Sequence, residues 1–169
     1  MIFEEPFDAV VGRYVLLFQA DAAHMLRRLA RRLQPGGVIV FHEPDWSEVR
    51  SVPAAPTYDR CCRWIIAAAT LGGSNWNMAH KLHGVFLAAG LPAATMRMKT
   101  FIGGGTEVGE WLRAVAELAD TLLPTMEKFG VATAAEVDLA TLVERMTREV
   151  AQTNSVIVGR SEIGAWSRV

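Results

Sequence analysis

The stretch from Phe7 to Trp46, FDAVVGRYVLLFQADAAHMLRRLARRLQPGGVIVFHEPDW, decides the fold. Apolar runs at residues 9–11 and 38–41 predict two strands, and uninterrupted runs of this kind are typical of parallel strands covered on both faces. Between them, Asp21 is placed to cap a helix, and the turn Pro-Gly-Gly at residues 35–37 ends it. The helix carries one apolar stripe, Leu26, Leu29, Ala30 and Leu33. We therefore predict a β–α–β unit with a right-handed crossover.

Polar side chains follow both predicted strands. Because parallel strands bring their carboxyl ends to one edge of the sheet, and ligands of open α/β sheets bind just beyond that edge, this is where chemistry is expected. A simple ion pair between Arg13 and Glu43 at the edge is the structural alternative. The residues concerned are Gly12, Arg13 and Tyr14 after the first strand, and His42, Glu43 and Asp45 after the second.

The ordered set FDAVVGRYVLLF, the helix, QPGGVIVFHEPDW and the later AAGLP resembles the C-terminal part of a class I S-adenosylmethionine-dependent methyltransferase. The resemblance covers Phe7 to about Pro92, and more loosely IGAWSR near Trp166. It implies an α/β fold in a single domain, residues 1–169: a partial, doubly wound Rossmann-like sheet, mainly parallel with an antiparallel last strand. Helices would cover both faces, with a helical insertion after Thr106 and before the last strand.

The resemblance also implies roles for these residues. The strand at residues 7–13 would end near the methionine part of S-adenosylmethionine, so Gly12, Arg13 and Tyr14 are implied to bind the cofactor. The residues after the strand at 38–42 would help to form the pocket of the methyl acceptor.

Two family features should precede Phe7, namely the glycine-rich cofactor loop and the acidic residue that ends the second strand. Residues 1–6 stand there instead, and no G-x-G-x-x-G occurs in the chain. The triplet at residues 103–105 has no strand signature before it, so we read it as a flexible loop. An incomplete fold would leave residues 9–11 as an apolar sheet edge. We expect that edge to pair with a second copy or with a separate N-terminal half.

The predicted reaction is methyl transfer to a small organic acceptor, an in-line displacement in which positioning does much of the work. An acceptor with a bound proton also needs a base. His42 is the preferred base because imidazole titrates near neutral pH, while Glu43 or Asp45 could orient the acceptor. Structural hydrogen bonding is the alternative for all three. Family members that methylate base or amide nitrogens carry an N-P-P-[YF] motif after this strand. Here residues 12–15 are Gly-Arg-Tyr-Val, so the motif is absent, which argues against such acceptors.

Composition limits the function classes. With 51% hydrophobic and 21% charged residues, the 169-residue chain is not intrinsically disordered. A net charge of −1 indicates neither a nucleic-acid nor a membrane-surface partner. No leader and no apolar run of about 18 residues is present, so we expect a soluble, cytoplasmic protein. His80 and His83 lack a third ligand, so no metal site is predicted.

The rest of the chain predicts helices at residues 57–71, 82–89, from Thr106, and after the capping box formed by Thr133 and Glu136. A strand is predicted at residues 94–98. Two apolar runs around residues 159–162 predict a hairpin or a kinked edge strand at the end of the chain. Trp46 and Trp76 lie in predicted loops and are candidates for contacting the acceptor, with edge packing as the alternative.

A function from another class stays open. Without the glycine-rich loop, the chain could be a non-catalytic binding or assembly module on a methyltransferase scaffold. No Y-x-x-x-K run is present, which argues against the distal part of a nicotinamide-dependent reductase.

Overall fold

The computed structural model describes residues 5–169, and the chain forms two compact units. The first unit holds the residues up to Asp45, residues 75–99 and residues 161–169, and the second holds residues 46–74 and 100–160. The strands are β1 (Phe7–Arg13), β2 (Leu33–Asp45), β3 (Arg50–Val52), β4 (Thr95–Gly104) and β5 (Val156–Arg168). The α-helices are α1 (Ala22–Ala30), α2 (Pro56–Leu71), α3 (Met78–Ala88), α4 (Gly109–Lys128), α5 (Ala134–Val137) and α6 (Leu139–Thr153). Short 3-10 helices span Leu16–Phe18 and Gly105–Val108.

The five strands form one mixed sheet in the order β1-β2-β5-β3, with β4 also paired to β5. Strands β1 and β2 run parallel, with Val10 opposite Ile39 and Arg13 opposite His42. Strand β5 runs antiparallel to both β2 and β3. The predicted fold class is confirmed in these features: a mixed α/β protein with helices on both sides of the sheet and an antiparallel last strand. The sheet is mixed rather than mainly parallel, because β1 and β2 are parallel whereas β5 runs antiparallel to both β2 and β3.

The β–α–β unit that the sequence predicts is present. The carboxylate of Asp21 accepts the backbone N–H of His24 at 2.8 Å and so caps α1. The helix already ends at Ala30, and the next strand begins at Leu33, so Leu33 is not part of the helix and the predicted helix-ending turn at residues 35–37 is wrong: these residues lie within β2. Gly36 adopts a φ of 83° that favours glycine. Because β1 and β2 are parallel, their polar carboxyl ends share one edge of the sheet, as the functional prediction requires.

The first unit has one well-packed sheet face. Helices α1 and α3 pack against each other and against β2, and Ile39 and Phe41 are at most 1% exposed beneath them. We call this the packed face. Residues that alternate with them, Val40 and His42, are only half-buried, and Val11 of β1 is 73% exposed. The prediction that the apolar run of β1 is covered on both faces is therefore wrong, because β1 ends the strand order and α1 and α3 lie on the packed face.

We call the side of the sheet that carries Val11, Val40 and His42 the opposite face. The predicted pairing of residues 9–11 with a second chain stays a prediction, and so does the single domain.

The second unit is mainly helical. Helices α2, α4 and α6 pack together, and β3 pairs with the first residues of β5. Its core includes Tyr58, Ile65, Leu112, Val115, Leu142 and Met146, all at most 1% exposed. The capping box of Thr133 and Glu136 is confirmed at the start of α5. Thr106 does not cap α4, because it lies within a 3-10 helix and the N-cap is Val108.

The last strand differs most from the sequence prediction. Strand β5 runs without interruption for 13 residues, where a hairpin or a kinked edge strand was predicted. It lies inside the sheet, between β2 and β3. At Gly159 a Cβ would approach Trp111 to 2.9 Å, so glycine here permits close packing rather than a turn. Similarly, residues 103–104 end β4 and Gly105 begins a 3-10 helix, so the predicted flexible loop is wrong.

Every helix among residues 5–169 is too short or too polar to span a bilayer.

Candidate functional site

The polar edge of the first unit centres on Tyr14, the residue directly after β1. Its φ of 55° lies in the left-handed region, which is uncommon for a residue other than glycine. The Tyr14 hydroxyl donates a hydrogen bond of 2.6 Å to Oε1 of Glu162 on β5. Its ring stacks on that of His42, with 5.8 Å between centroids and 25° between planes. Tyr14 thus joins the ends of β1 and β2 to β5.

His42 and Arg13 complete this group, which we call the Tyr14 cluster: Arg13, Tyr14, His42 and Glu162. The Nε2 atom of His42 lies 3.4 Å from Oε2 of Glu162, and the two side chains are 32% and 21% exposed. Arg13 donates to the Tyr14 hydroxyl at 3.2 Å, and its guanidinium carbon lies 4.7 Å from the centre of the Tyr14 ring. The hydrogen bond to Tyr14 raises the pKa of Arg13, which keeps the guanidinium charged. The cluster offers a cation, a carboxylate and a partly exposed imidazole.

The sequence predicted three members of the Tyr14 cluster and missed Glu162, which is 148 positions from Tyr14. Residues 159–162 have the composition of a turn, so the sequence did not predict that they lie inside the strand β5. A usable signal was present: Ile157, Ile163 and Ala165 fall on one side of a period-two pattern, which places Glu162 on the other side.

Glu43 has a different environment, because it lies on the packed face and is 0% exposed. Its Oε1 accepts the backbone N–H groups of Val15 at 3.1 Å and Leu16 at 2.8 Å, and its Oε2 accepts that of Leu17 at 3.3 Å. These are the free donors at the start of a helix. Burial raises the pKa of Glu43, although the three N–H groups act in the opposite direction. Glu43 therefore anchors the segment after β1 rather than pairing with Arg13.

Asp45, at the end of β2, is also buried, with 1% exposure. Its Oδ2 lies 3.1 Å from Nε2 of His80, a half-exposed side chain on α3. This is a second histidine–carboxylate pair at the end of β2. Among residues 5–169, no group of three His, Cys, Asp or Glu side chains is arranged to hold a metal ion.

Gly12, Trp46 and Trp76 are the remaining predicted site residues. Gly12 is buried, and a Cβ there would come within 2.2 Å of the Phe41 ring. Trp46 belongs to the second unit, is 3% exposed and lies with its ring 5.7 Å from that of Trp111. Trp76 packs against the core of the first unit. Acceptor binding by the two tryptophans and cofactor binding by Gly12 stay predictions.

The chain matches known proteins through its structure rather than through its overall sequence. No protein-family model and no curated protein matches it. Among solved structures, a protein of Bacillus halodurans assigned as a methyltransferase is 17% identical with a TM-score of 0.49, over 99% of this chain and 66% of that one. A phosphoethanolamine N-methyltransferase of Haemonchus contortus is 14% identical with a TM-score of 0.43, over 95% and 34%. An S-adenosylmethionine-dependent methyltransferase of Geobacter sulfurreducens is 16% identical with a TM-score of 0.41, over 100% and 61%.

The chain thus spans less than two thirds of the length of each of these proteins. The fold of this chain is defined by its own strand order and strand directions. The resemblance found in the sequence is nevertheless the one found in the solved structures: this chain resembles a portion of the class I S-adenosylmethionine-dependent methyltransferases.

Proposed function

We propose that this protein takes part in S-adenosylmethionine-dependent methyl transfer to a small organic acceptor, with His42 as the base. The observation that carries the proposal is the Tyr14 cluster. It sets a partly exposed imidazole beside a carboxylate at the carboxyl end of two parallel strands, the edge where open α/β sheets bind their ligands. An imidazole held by a carboxylate is an effective general base near neutral pH.

The described residues fit one side of a site for the methionine part of the cofactor. Arg13 is exposed and charged, and a guanidinium suits a carboxylate because it can donate two parallel hydrogen bonds. Tyr14 would flank the same group. The cofactor would supply an electrophilic methyl group on a sulfonium. No G-x-G-x-x-G occurs in the sequence, so we propose that this chain provides only part of the cofactor site.

The other polar residues of the edge support this arrangement without touching reactants. Glu43 holds the backbone of residues 15–17 and so sets where the chain runs after Tyr14. Asp45 holds His80. We therefore keep His42 as the base and give Glu43 and Asp45 the structural role that was the alternative in the sequence. His42 would take the proton of an acceptor hydroxyl or amine as the new bond to carbon forms.

Isothermal titration calorimetry with S-adenosylmethionine and S-adenosylhomocysteine tests the proposal. We expect micromolar binding and a loss of about tenfold or more in Arg13→Met, since a hydrogen bond to a charged group contributes about 1.5–3 kcal/mol. Arg28→Met, on the exposed side of α1, is the matched control and should bind as the unchanged protein does. No detectable heat with either compound would contradict the proposal and favour the non-catalytic module.

A further inference from the structure

We propose that Glu162 sets the tautomer of His42, so that Nδ1 is the nitrogen left free to act as the base. The inference deepens the proposed function, and its meaning for catalysis rests on that function. The geometry that supports it belongs entirely to the first unit and needs no bound ligand.

The two oxygens of the Glu162 carboxylate face different side chains. The Tyr14 hydroxyl donates to Oε1 at 2.6 Å, so this oxygen is engaged by Tyr14. The other oxygen, Oε2, is the one that faces His42 Nε2 at 3.4 Å. The two atoms are in ion-pair contact and do not form a hydrogen bond in this geometry, and contacts of catalytic groups often tighten only when reactants bind.

The tautomer of His42 follows from the hydrogen-bond donors and acceptors available. An ionised carboxylate can only accept hydrogen bonds, so a neutral His42 meets Oε2 favourably only when its proton is on Nε2. A neutral imidazole carries one N–H, and its other nitrogen then holds the lone pair. Nδ1 is therefore the nitrogen that can accept a proton.

Tyr14 itself is held in place by its neighbours. Its backbone is in the left-handed region, which is costly for a residue with a side chain and persists only where surrounding contacts hold it. Arg13 contacts both the hydroxyl and the ring of Tyr14, and His42 stacks on the ring. Tyr14 therefore positions Glu162, and Glu162 positions His42.

The tautomer of His42 decides where the proton goes in the reaction. The acceptor loses its proton to Nδ1 of His42 and forms a bond to the methyl carbon, while the bond between that carbon and sulfur breaks and its electron pair stays on sulfur. His42 then carries a positive charge, with its Nε2 proton facing the Glu162 carboxylate, which stabilises the charge. Glu162 is thus a positioning residue, and His42 is the group that meets the acceptor.

Long-range proton–nitrogen NMR correlation of the histidine rings tests the inference on the protein without cofactor, at about pH 8.5, where an ordinary imidazole is neutral. We expect His42 to show a single tautomer, protonated at Nε2. The exposed His24 serves as the internal reference for an imidazole that averages both tautomers. His80, which meets Asp45 through Nε2, is the reference for a held imidazole.

The decisive variant is Glu162→Gln. Tyr14 should still donate to the amide oxygen, which turns the NH₂ group towards His42. Because that group donates, Nε2 must accept, and we expect the proton of His42 to move to Nδ1. Glu162→Ala should instead bring the nitrogen shifts of His42 to those of His24. A merely structural role for Glu162 would not reverse the tautomer.

The control is Glu48→Gln, an exposed glutamate that pairs with Arg50 at 2.9 Å and should leave the His42 shifts unchanged. The inference is overturned if His42 in the unchanged protein averages like His24, or if Glu162→Gln keeps the proton on Nε2. Its failure is separable from that of the proposed function: calorimetry without heat removes the methyltransferase proposal, and the NMR result still decides the tautomer.

Discussion

The two faces of the sheet in the first unit differ in what surrounds them. On the packed face, Ile39 and Phe41 are buried by α1 and α3. On the opposite face, Val40 is half-buried and Val11 is 73% exposed. One strand, β2, supplies both kinds of residue because successive side chains point to opposite sides. The packed face therefore provides most of the stability of this unit, and the opposite face is where side chains remain accessible.

The same difference decides what each glutamate at the polar edge does. Glu43, on the packed face, is buried and bound to three backbone N–H groups. Glu162 is 21% exposed and contacts the side chains of Tyr14 and His42. Two residues of identical chemistry are thus separated into a structural anchor and a candidate positioning residue by the face on which they lie.

The largest loss of stability should come from removing a buried side chain of the packed face. Phe41→Ala removes a ring that is 1% exposed, and we expect it to lower the free energy of unfolding by about 3–5 kcal/mol. Val40→Ala, its neighbour on the opposite face, should cost about 1 kcal/mol or less. Chemical denaturation of both variants measures the difference. Equal costs would show that the two faces contribute alike.

A smaller effect should come from adding a methyl group to each face. Gly12→Ala places a Cβ within 2.2 Å of the Phe41 ring, so we expect a loss of about 1–3 kcal/mol from overpacking. At Gly164 on β5 a Cβ would meet no atom within 4 Å. Gly164→Ala should therefore be neutral or stabilising by up to about 1 kcal/mol, because alanine loses less backbone entropy in a strand. Thermal unfolding of the two variants ranks them, and destabilisation by Gly164→Ala would contradict the contrast.

The smallest effect is a change of pH dependence at Glu43. Its pKa in the folded protein is raised above the ordinary value of 4.5, so the folded state binds more protons than the unfolded state just above that pH. The stability from this group is fully present below pH 4.5 and is lost as the pH rises through the folded pKa. Glu43→Gln should remove this loss, at a cost of about 1 kcal/mol that shrinks as the pH rises above 4.5.

Glu136 provides a control of opposite sign for that measurement. Its hydrogen bonds with Thr133 lower its pKa, so its contribution is present above the ordinary value and is lost as the pH falls. Urea denaturation at a series of pH values should give slopes of opposite sign for the two glutamine variants. A cost of Glu43→Gln that grows with rising pH would show that the pKa of Glu43 is lowered instead.

Features that depend on neighbouring residues could be predicted from the sequence. The cap of Asp21 on α1 and the box of Thr133 and Glu136 each join residues three positions apart, so no distant contact enters. The parallel pairing of β1 and β2 followed from two apolar runs and the helix between them. Arg13, Tyr14 and His42 were found for the same reason, since Arg13 ends β1, Tyr14 follows it, and His42 follows the apolar run of β2.

Features that depend on pairing between distant residues could not be predicted from the sequence. Residues 159–162 have the composition of a turn, yet the chain continues through them as one strand, which pairs with β3 before them at Val156–Val158 and with β2 from Ser161 onward. Glu162 was missed with that strand. Thr106 has the right type for a helix cap, but the backbone there forms a 3-10 helix, and nothing nearby in the sequence indicates it.

The sequence by itself determined the β–α–β unit, the polar edge beyond its strands and the resemblance to methyltransferases, because these depend on periodicity and on short-range caps and turns. Only the tertiary structure decided which polar groups are accessible. It buried Glu43 against three backbone N–H groups and brought Glu162 from the other end of the chain to Tyr14 and His42. Burial and long-range strand pairing depend on the packing of the whole unit, and no local pattern records them.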